Sequence, residues 1–143
     1  YGTPIRERDT LEDYLYKDGR ENLSLIVNAT FPDAKKAILN YRHCSTLMVL
    51  EEGEEVSLME IELLTGRHHQ IRAQMSNAGM PLLGDSKYGS DRSKELSRDI
   101  GCKNVALCAY KLSFKHPVTH KEMVFEKKPE EELFDPFLNE GIL

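Results

Sequence analysis

The segment from Leu64 to Arg72 holds the side chains best suited to chemistry, in the order Leu-Thr-Gly-Arg-His-His-Gln-Ile-Arg. Gly66 lets the backbone turn tightly and approach a ligand, and the unpaired N–H groups at the start of a following helix favour an anion. Arg67 lies at that start, whereas Arg72 follows Ile71 and falls near the edge of the face that we expect to be buried. A partly buried arginine usually has a carboxylate or phosphate partner, because its planar fork suits both and an unpaired buried charge is costly. The residues therefore predict an anion-binding strand–helix junction, with ordinary surface or salt-bridge arginines as the alternative.

The two histidines of this segment, His68 and His69, do not predict a metal site. If residues 68 to 78 are helical, adjacent side chains point about 100° apart and cannot chelate one ion together. No third ligand is spaced suitably in the sequence. We therefore expect no metal.

A second block, Gly79 to Gly89, reads Gly-Met-Pro-Leu-Leu-Gly-Asp-Ser-Lys-Tyr-Gly and predicts a tight turn after the helix. We expect Asp85 to cap this turn with its side chain. Lys87 and Tyr88 are candidates to touch a nucleic-acid backbone or to stack on a base. A solvated amine and packing within the turn are the alternatives.

The elements that must position these blocks are those of an α+β protein, with a mainly antiparallel mixed sheet and helices packed on it. A capping-box-like start at residues 10–13, followed by Leu11, Tyr14 and Leu15 at helical spacing, predicts a first helix or turn. Residues 56–64 alternate, so we expect a strand with one apolar face and a solvated face that carries Glu60 and Glu62.

The remaining elements follow from the same patterns. Further strands are expected at residues 23–30, 36–41, 47–50, 105–114 and 123–125, and helices at 68–78 and 93–100. Residues 129–138 are acidic and predict a solvated terminal helix, with docking of its apolar side chains on the sheet as the alternative.

Composition restricts the class of protein. The 143 residues fit one domain, and the net charge of −5 argues against a strongly basic nucleic-acid coat. Residues 66–94 nevertheless carry a net charge of +3, which favours a local anion site. No apolar run approaches the ~18 residues of a membrane span, and three cysteines without CxxC spacing favour a reducing cytoplasm. The chain opens on Tyr1 rather than Met, so we expect it to be a piece of a longer protein.

In order along the chain, these blocks resemble the RluA-type RNA pseudouridine synthases. Residues 65–72 and 79–89 are similar to the third signature region of that family. Residues 107–117 resemble its following strand motif, and residues 10–18 resemble a segment that precedes it.

The resemblance implies a pseudouridine-synthase-like catalytic fold and the isomerisation of uridine in structured RNA, rRNA or tRNA, without a cofactor. It implies that Arg72 pairs with a catalytic aspartate and that Ile71 supports the base pocket. The RNA contacts it suggests are spread over both blocks: Arg67, His69, Gln70, Lys87 and Tyr88.

The family's aspartate lies in a His-Arg-Leu-Asp type motif, and the 143 residues contain no such motif. We therefore expect the chain to be the later part of a single catalytic domain, with the remainder of that domain upstream as its partner. On this expectation the chain alone is inactive. A non-catalytic RNA-binding module is the alternative function, and a phosphate-binding domain for small molecules is a weaker one, because no P-loop is present.

Overall fold

The structure, a computed structural model, describes residues 1–49 and 53–138. The chain divides into two compact units, Tyr1–Ala106 and Leu107–Leu143. The first unit contains four strands and two helices: β1 Arg8–Asp18, β2 Leu23–Val27, β3 Lys35–Val49, β4 Glu54–Leu63, α1 Gln70–Asn77 and α2 Asp91–Asp99. No helix within the described ranges is long and apolar enough to cross a membrane.

The four strands of the first unit form one sheet in the order β2-β1-β3-β4, and every pairing is antiparallel. This confirms the predicted α+β class with an antiparallel sheet. The two strands predicted at residues 36–41 and 47–50 are one continuous strand, β3, as far as Val49. Leu50, the last residue of that prediction, lies outside the described residues.

The first predicted helix is wrong, because residues 8–18 form strand β1. Leu11 and Leu15 lie on one face of this strand, opposite Leu39 and Lys35 of β3. The same residues fit a helical spacing, so only the long-range pairing with β3 distinguishes the two conformations.

Strand β4 is buried in its first half and more exposed in its second half. Val56 and Leu58 are buried, although they share a face with the two glutamates that were expected to be solvated. Glu60 and Glu62 do lie on an outward part of this face, where they pair with Arg42 and with Asn40 of β3. The pairing of β3 with β4 shifts register between His43 and Ser45 of β3, where the buried part of β4 meets its more exposed part. The expectation of one solvated side is therefore wrong for the first half of the strand.

Helix α1 packs on the sheet face that carries Leu15 and Ala37, through the buried residue Ala73. Gln74 is fully buried and its amide donates to the main-chain oxygen of Leu11 and to the carboxylate of Asp13. The predicted helix at residues 68–78 is confirmed in its main part, but it begins at Gln70.

Helix α2 confirms the helix predicted at residues 93–100, with Ser90 as its N-cap. The second unit contains β5 Lys111–Lys115, β6 Glu122–Glu126, a 3₁₀ turn Glu132–Phe134 and a short helix α3 Asp135–Leu138. The strands pair antiparallel as a hairpin. The strand predicted at residues 105–114 is wrong before residue 111, because residues 105–110 have no strand structure.

Candidate active site

The junction between β4 and α1 is held by a buried glutamine. Gln70 is 3% exposed, and its side-chain oxygen accepts from the Thr65 hydroxyl at 2.9 Å and from the Arg67 N–H at 2.9 Å. Its amide nitrogen donates to the Ile38 carbonyl of β3 at 3.1 Å. Gln70 therefore fixes the turn against the sheet, and its amide is used within the protein.

The two histidines lie before α1 rather than on it. His69 has left-handed backbone angles, φ 49° and ψ 27°, which are uncommon for a residue other than glycine. This conformation brings the His68 and His69 rings into a stack with centroids 3.8 Å apart. The expectation that the side chains point about 100° apart is wrong, because it assumed a helical backbone at both residues.

Arg72, on the first turn of α1, forms a bidentate ion pair with Asp85. Its Nε donates to Asp85 Oδ2 at 2.7 Å and its Nη2 donates to Oδ1 at 2.7 Å. The Asp85 side chain is 0% exposed and that of Arg72 is 17% exposed. The carboxylate partner expected for an arginine at this position is thus supplied by the Gly79–Gly89 block.

Asp85 also caps its own turn, as predicted. Its Oδ1 accepts from the backbone N–H groups of Lys87 and Tyr88, each at 3.0 Å. The loop that carries it leaves no room for larger residues on either side. A Cβ on Gly84, where φ is +69°, would lie 1.8 Å from the Asn104 carbonyl oxygen, and one on Gly89 would lie 2.4 Å from the Asp85 carbonyl oxygen.

Two aromatic side chains complete the surroundings of the guanidinium. Its central carbon lies 5.0 Å from the centroid of the Tyr88 ring, and Nη1 lies 3.2 Å from His69 Nε2. The Tyr88 hydroxyl accepts from the Ser24 N–H at 2.7 Å and lies 3.0 Å from His69 Nδ1. We call Arg72, Asp85, His69 and Tyr88 the Arg72 cluster.

The hydrogen bonds of Arg72 leave part of the guanidinium open. A guanidinium has five N–H donors, and three are directed at Asp85 and His69. Among the described residues, the remaining hydrogens, one on each terminal nitrogen, have no acceptor. Because Arg72 can only donate, His69 Nε2 must accept, which makes Nδ1 the protonated nitrogen of a neutral ring.

The electrostatics of the cluster agree with this assignment. Burial alone would raise the pKa of Asp85, but the Arg72 guanidinium and the N–H groups of Tyr88 and Lys87 outweigh it and hold the pKa below its usual value. Burial, and then the charge of Arg72, lower the pKa of His69. The cluster therefore contains an ionised carboxylate, a fixed guanidinium and a neutral imidazole at neutral pH.

The other residues singled out from the sequence lie around this cluster. Arg67 is exposed and its Nε donates to the Lys36 carbonyl at 3.0 Å, so it braces the junction while its terminal nitrogens face outward. Lys87 is exposed and donates to the Asn22 carbonyl at 3.0 Å. Ile71 is half-buried beside Arg72.

Sequence reasoning missed two features of the site. It treated Asp85 only as a turn cap, although the need of Arg72 for a carboxylate was a usable signal and Asp85 is the acid of the neighbouring block. It also gave no part to Ser24, whose hydroxyl donates to the His68 carbonyl. That contact depends on the sheet register and has no local signature.

The described residues contain no group of three or more histidine, cysteine or acidic side chains that could hold a metal ion. The three cysteines are unpaired.

Comparisons with known proteins agree with this architecture. The family described as RNA pseudouridylate synthase matches residues 3–77, which run from before β1 to the end of α1. The chain belongs to this family, and the resemblance to its RluA-type members is confirmed. The family match covers Arg72 but stops before Asp85.

Individual relatives cover more of the chain. Ribosomal large subunit pseudouridine synthase D of Vibrio parahaemolyticus is 38% identical over 114 residues, covering 75% of this chain and 33% of the relative. An uncharacterized RNA pseudouridine synthase of Bacillus subtilis, YjbO, is 36% identical over 107 residues, with the same coverage of 75% and 33%. The chain thus spans about a third of the length of these relatives.

The fold also matches a solved structure, that of human RNA pseudouridylate synthase domain containing 1. The TM-score is 0.71 at 22% identity, covering 90% of this chain and 51% of the other. This match supports the fold.

Proposed function

We propose that this chain supplies the arginine-bearing part of the active site of an RNA pseudouridine synthase, which isomerises uridine to pseudouridine. The observation that carries the proposal is the orientation of Arg72. Asp85 and His69 hold its guanidinium, and a hydrogen on each terminal nitrogen is left to bind a further acceptor. A carboxylate is the acceptor that this planar group suits best.

The reaction explains why such an arginine is needed. The C1′–N1 bond of uridine breaks, a C1′–C5 bond forms, the C5 proton leaves and N1 regains a proton. The product is an isomer of the substrate, so the sum needs no oxidant or reductant. In the proposed site, Arg72 holds the catalytic carboxylate and keeps it ionised, because a neighbouring positive charge lowers the pKa of an acid.

The residues around Arg72 receive distinct parts in the proposal. Ile71 lines the pocket of the reacting base beside Arg72. Arg67 directs its terminal nitrogens outward and contacts an RNA phosphate, as does Lys87. Gln70 and Tyr88 act through the protein rather than on RNA: Gln70 is buried in the junction, and one face of the Tyr88 ring is covered by Arg72.

His69 orients Arg72 through Nε2 and is close enough to the open side of the guanidinium to contact the bound nucleotide. A uridine within a structured rRNA or tRNA has to leave its stack to reach this site. We place the reaction in the cytoplasm, because three unpaired cysteines suit a reducing compartment.

The catalytic aspartate is proposed to come from protein outside these residues, since the chain contains no His-Arg-Leu-Asp type motif and spans about a third of its relatives. Residues 1–143 are then the later part of one catalytic domain. On this view the chain binds RNA weakly and does not catalyse by itself.

Tritium release from RNA labelled at C5 of uridine tests the proposal. The natural full-length protein that carries this chain is expected to release tritium and to leave pseudouridine in the product, whereas the 143-residue chain releases none. RNA binding by the full-length protein without tritium release on any rRNA or tRNA would favour the non-catalytic RNA-binding module instead. Tritium release by the isolated chain would contradict an aspartate supplied from outside.

A further inference from the structure

Three basic side chains meet at the corner of the sheet next to the Arg72 cluster, and the proposed function leaves two of them without a part. We propose that Lys17, His68 and Lys87 form a binding site for an RNA phosphate beside the reacting nucleotide. This inference rests on the proposed function, because it describes how the same site holds its RNA. We call these three residues the basic corner.

Strand register brings the first two residues together. Lys17, near the end of β1, lies directly opposite Ser24 of β2, so both side chains point to the sheet face on which α1 packs. Ser24 Oγ donates to the His68 carbonyl at 2.5 Å and lies 3.0 Å from His68 Nδ1. Lys17 and His68 therefore flank the same serine.

Lys87 reaches the same corner from the loop after Asp85. Its Nζ donates to the Asn22 carbonyl at 3.0 Å, at the turn that joins β1 to β2. A carbonyl group carries no net charge, so the ammonium charge of Lys87 is fixed in place without being neutralised. An ammonium group has three donors, which leaves Lys87 able to bind an anion as well.

His68 lies among three positively charged side chains, although the chain carries a net charge of −5. Burial lowers the pKa of His68, and Lys17, Lys87 and Arg72 lower it further. No carboxylate of the described residues counteracts these cations at His68. Like charges held together repel one another, and a bound anion relieves that repulsion.

The position of the corner indicates which anion it binds. The His68 ring stacks on the His69 ring at 3.8 Å, and His69 Nε2 lies 3.2 Å from Arg72 Nη1. His68 of the basic corner is therefore separated from Arg72, the proposed catalytic arginine, by the ring of His69. An RNA strand that places a base at Arg72 carries its phosphates past this point, and phosphate contacts are the ones that fix register and orientation.

His68 gives the site a property that two lysines alone would not have. The Ser24 hydroxyl hydrogen goes to the His68 carbonyl, so His68 Nδ1 donates to Ser24 Oγ and Nε2 keeps its lone pair in the neutral ring. The charged or titratable groups facing His68 are Lys17 from β1, Arg72 from α1, the stacked His69 and Lys87 from the loop. A phosphate beside Nε2 favours the protonated ring, so binding takes up a proton.

The test measures binding of a fluorescein-labelled 20-nucleotide single-stranded RNA to the 143-residue chain by anisotropy, from 50 to 300 mM KCl. The variant combines Lys17→Gln with Lys87→Gln. The control combines Arg98→Gln with Lys103→Gln, which removes the same charge from two exposed basic side chains of the first unit outside the corner. Thermal unfolding of both variants confirms that they are folded.

The corner variant is expected to bind about tenfold more weakly at 100 mM KCl. Its plot of log affinity against log salt is expected to be shallower by about 0.7, because the corner binds one phosphate and each single-strand phosphate contact contributes roughly 0.7. The control is expected to stay within about twofold, with an unchanged slope. The proposal is overturned if both variants lose the same RNA affinity or if the corner variant loses none. It is also overturned if the unmodified chain does not bind RNA.

Two further measurements separate the alternatives. Affinity of the unmodified chain is expected to rise between pH 8 and pH 5.5, and His68→Gln is expected to remove that rise. A rise that survives in His68→Gln overturns the part assigned to His68. Polyglutamate is expected to compete less effectively than unlabelled RNA. If the two compete equally well, the assignment of the site to phosphate is wrong.

Failure of the corner and failure of the proposed function are distinguishable. If the full-length protein releases tritium but the corner variant binds RNA normally, the proposed phosphate site is wrong and the proposed synthase activity stands. If the corner variant loses RNA affinity as expected but the full-length protein releases no tritium, the phosphate site stands and the proposed synthase activity is wrong.

Discussion

Two arginines of the first unit each contact carboxylates, but in different surroundings. Arg72 and Asp85 are 17% and 0% exposed in their side chains, whereas Arg92 is 46% exposed and contacts Glu54, which is 15% exposed, and Glu95, which is 51% exposed. Both guanidinium groups make several hydrogen bonds. Arg72 binds both oxygens of one buried carboxylate, whereas Arg92 binds two carboxylates that differ in exposure.

We propose that this difference in burial separates an arginine of the active site from an arginine of the surface. Exposed ion pairs contribute about 0–1 kcal/mol, because water and salt screen them and two long side chains lose freedom. A buried pair gains little net free energy after desolvation, but losing one partner is costly. We infer that Asp85 is retained for the orientation of Arg72, whereas Glu95 is a solvated partner of Arg92.

The largest expected effect on stability comes from Asp85→Asn. This change keeps the shape of the side chain and leaves Arg72 as a largely buried charge without its partner. We expect the free energy of unfolding to fall by about 3 kcal/mol, the lower end for a broken buried pair, since Arg72 keeps some contact with solvent. Urea denaturation of the 143-residue chain measures it.

Glu95→Gln is the control with the same change of charge, because it removes the exposed carboxylate partner of Arg92 and leaves its contact with Glu54. We expect a loss under about 1 kcal/mol. Similar losses in the two variants would show that burial does not distinguish these pairs.

Arg67→Ala tests the outer side of the same junction. Arg67 is exposed, and within the described residues its side chain makes one hydrogen bond, from Nε to the Lys36 carbonyl, so we expect little change in stability. RNA affinity of the full-length protein is expected to fall by about tenfold and its salt slope by about 1, as for a phosphate contact. An unchanged salt slope would leave Arg67 as a structural brace only.

The smallest expected effect is a pH dependence of stability that arises at His69. Its pKa in the folded chain lies below the usual 6.5 because of burial and the charge of Arg72. As pH falls below about 6.5, the unfolded chain takes up a proton that the folded chain does not, so stability falls. Asp85 contributes in a separate pH range. Because its pKa is lowered in the folded chain, the stability it contributes is lost as pH falls below its ordinary pKa of 3.8.

Urea denaturation at pH 7.5 and pH 5.0 checks this dependence. His69→Gln is expected to lose less stability between the two pH values than the unmodified chain does. An equal loss in both proteins would place the titrating group elsewhere.

The strand–helix junction and the turn after the helix could be predicted from the sequence, because their signals are local. The apolar spacing of α1 and the glycines of the Gly79–Gly89 block each act within a few residues. The demand of Arg72 for an acidic partner also followed from its place at the edge of a buried face. The identity of that partner did not, since Asp85 has an adequate local role as a turn cap.

The errors share a physical cause, which is pairing between distant segments. Strand β1 has helical spacing in its apolar residues, and only pairing with β3 decides its conformation. The buried start of β4 was assigned to solvent because Glu60 and Glu62 share its face, but cross-strand partners accommodate these acids. The histidine stack depends on one left-handed residue, His69, for which the sequence gives no signal.

The central claim is that Arg72, held by Asp85, is the partner of the catalytic carboxylate. Single-turnover rates of pseudouridine formation by the full-length protein at saturating RNA test it most directly, with Arg72→Ala set against Arg92→Ala. Arg72→Ala is expected to slow the reaction by about 100- to 1000-fold, the cost of losing one preorganised charge-stabilising donor. RNA affinity is expected to stay within about threefold, which also shows that the variant is folded, and Arg92→Ala is expected to keep the normal rate. An unchanged rate in Arg72→Ala, or equal losses in the two variants, would contradict the account.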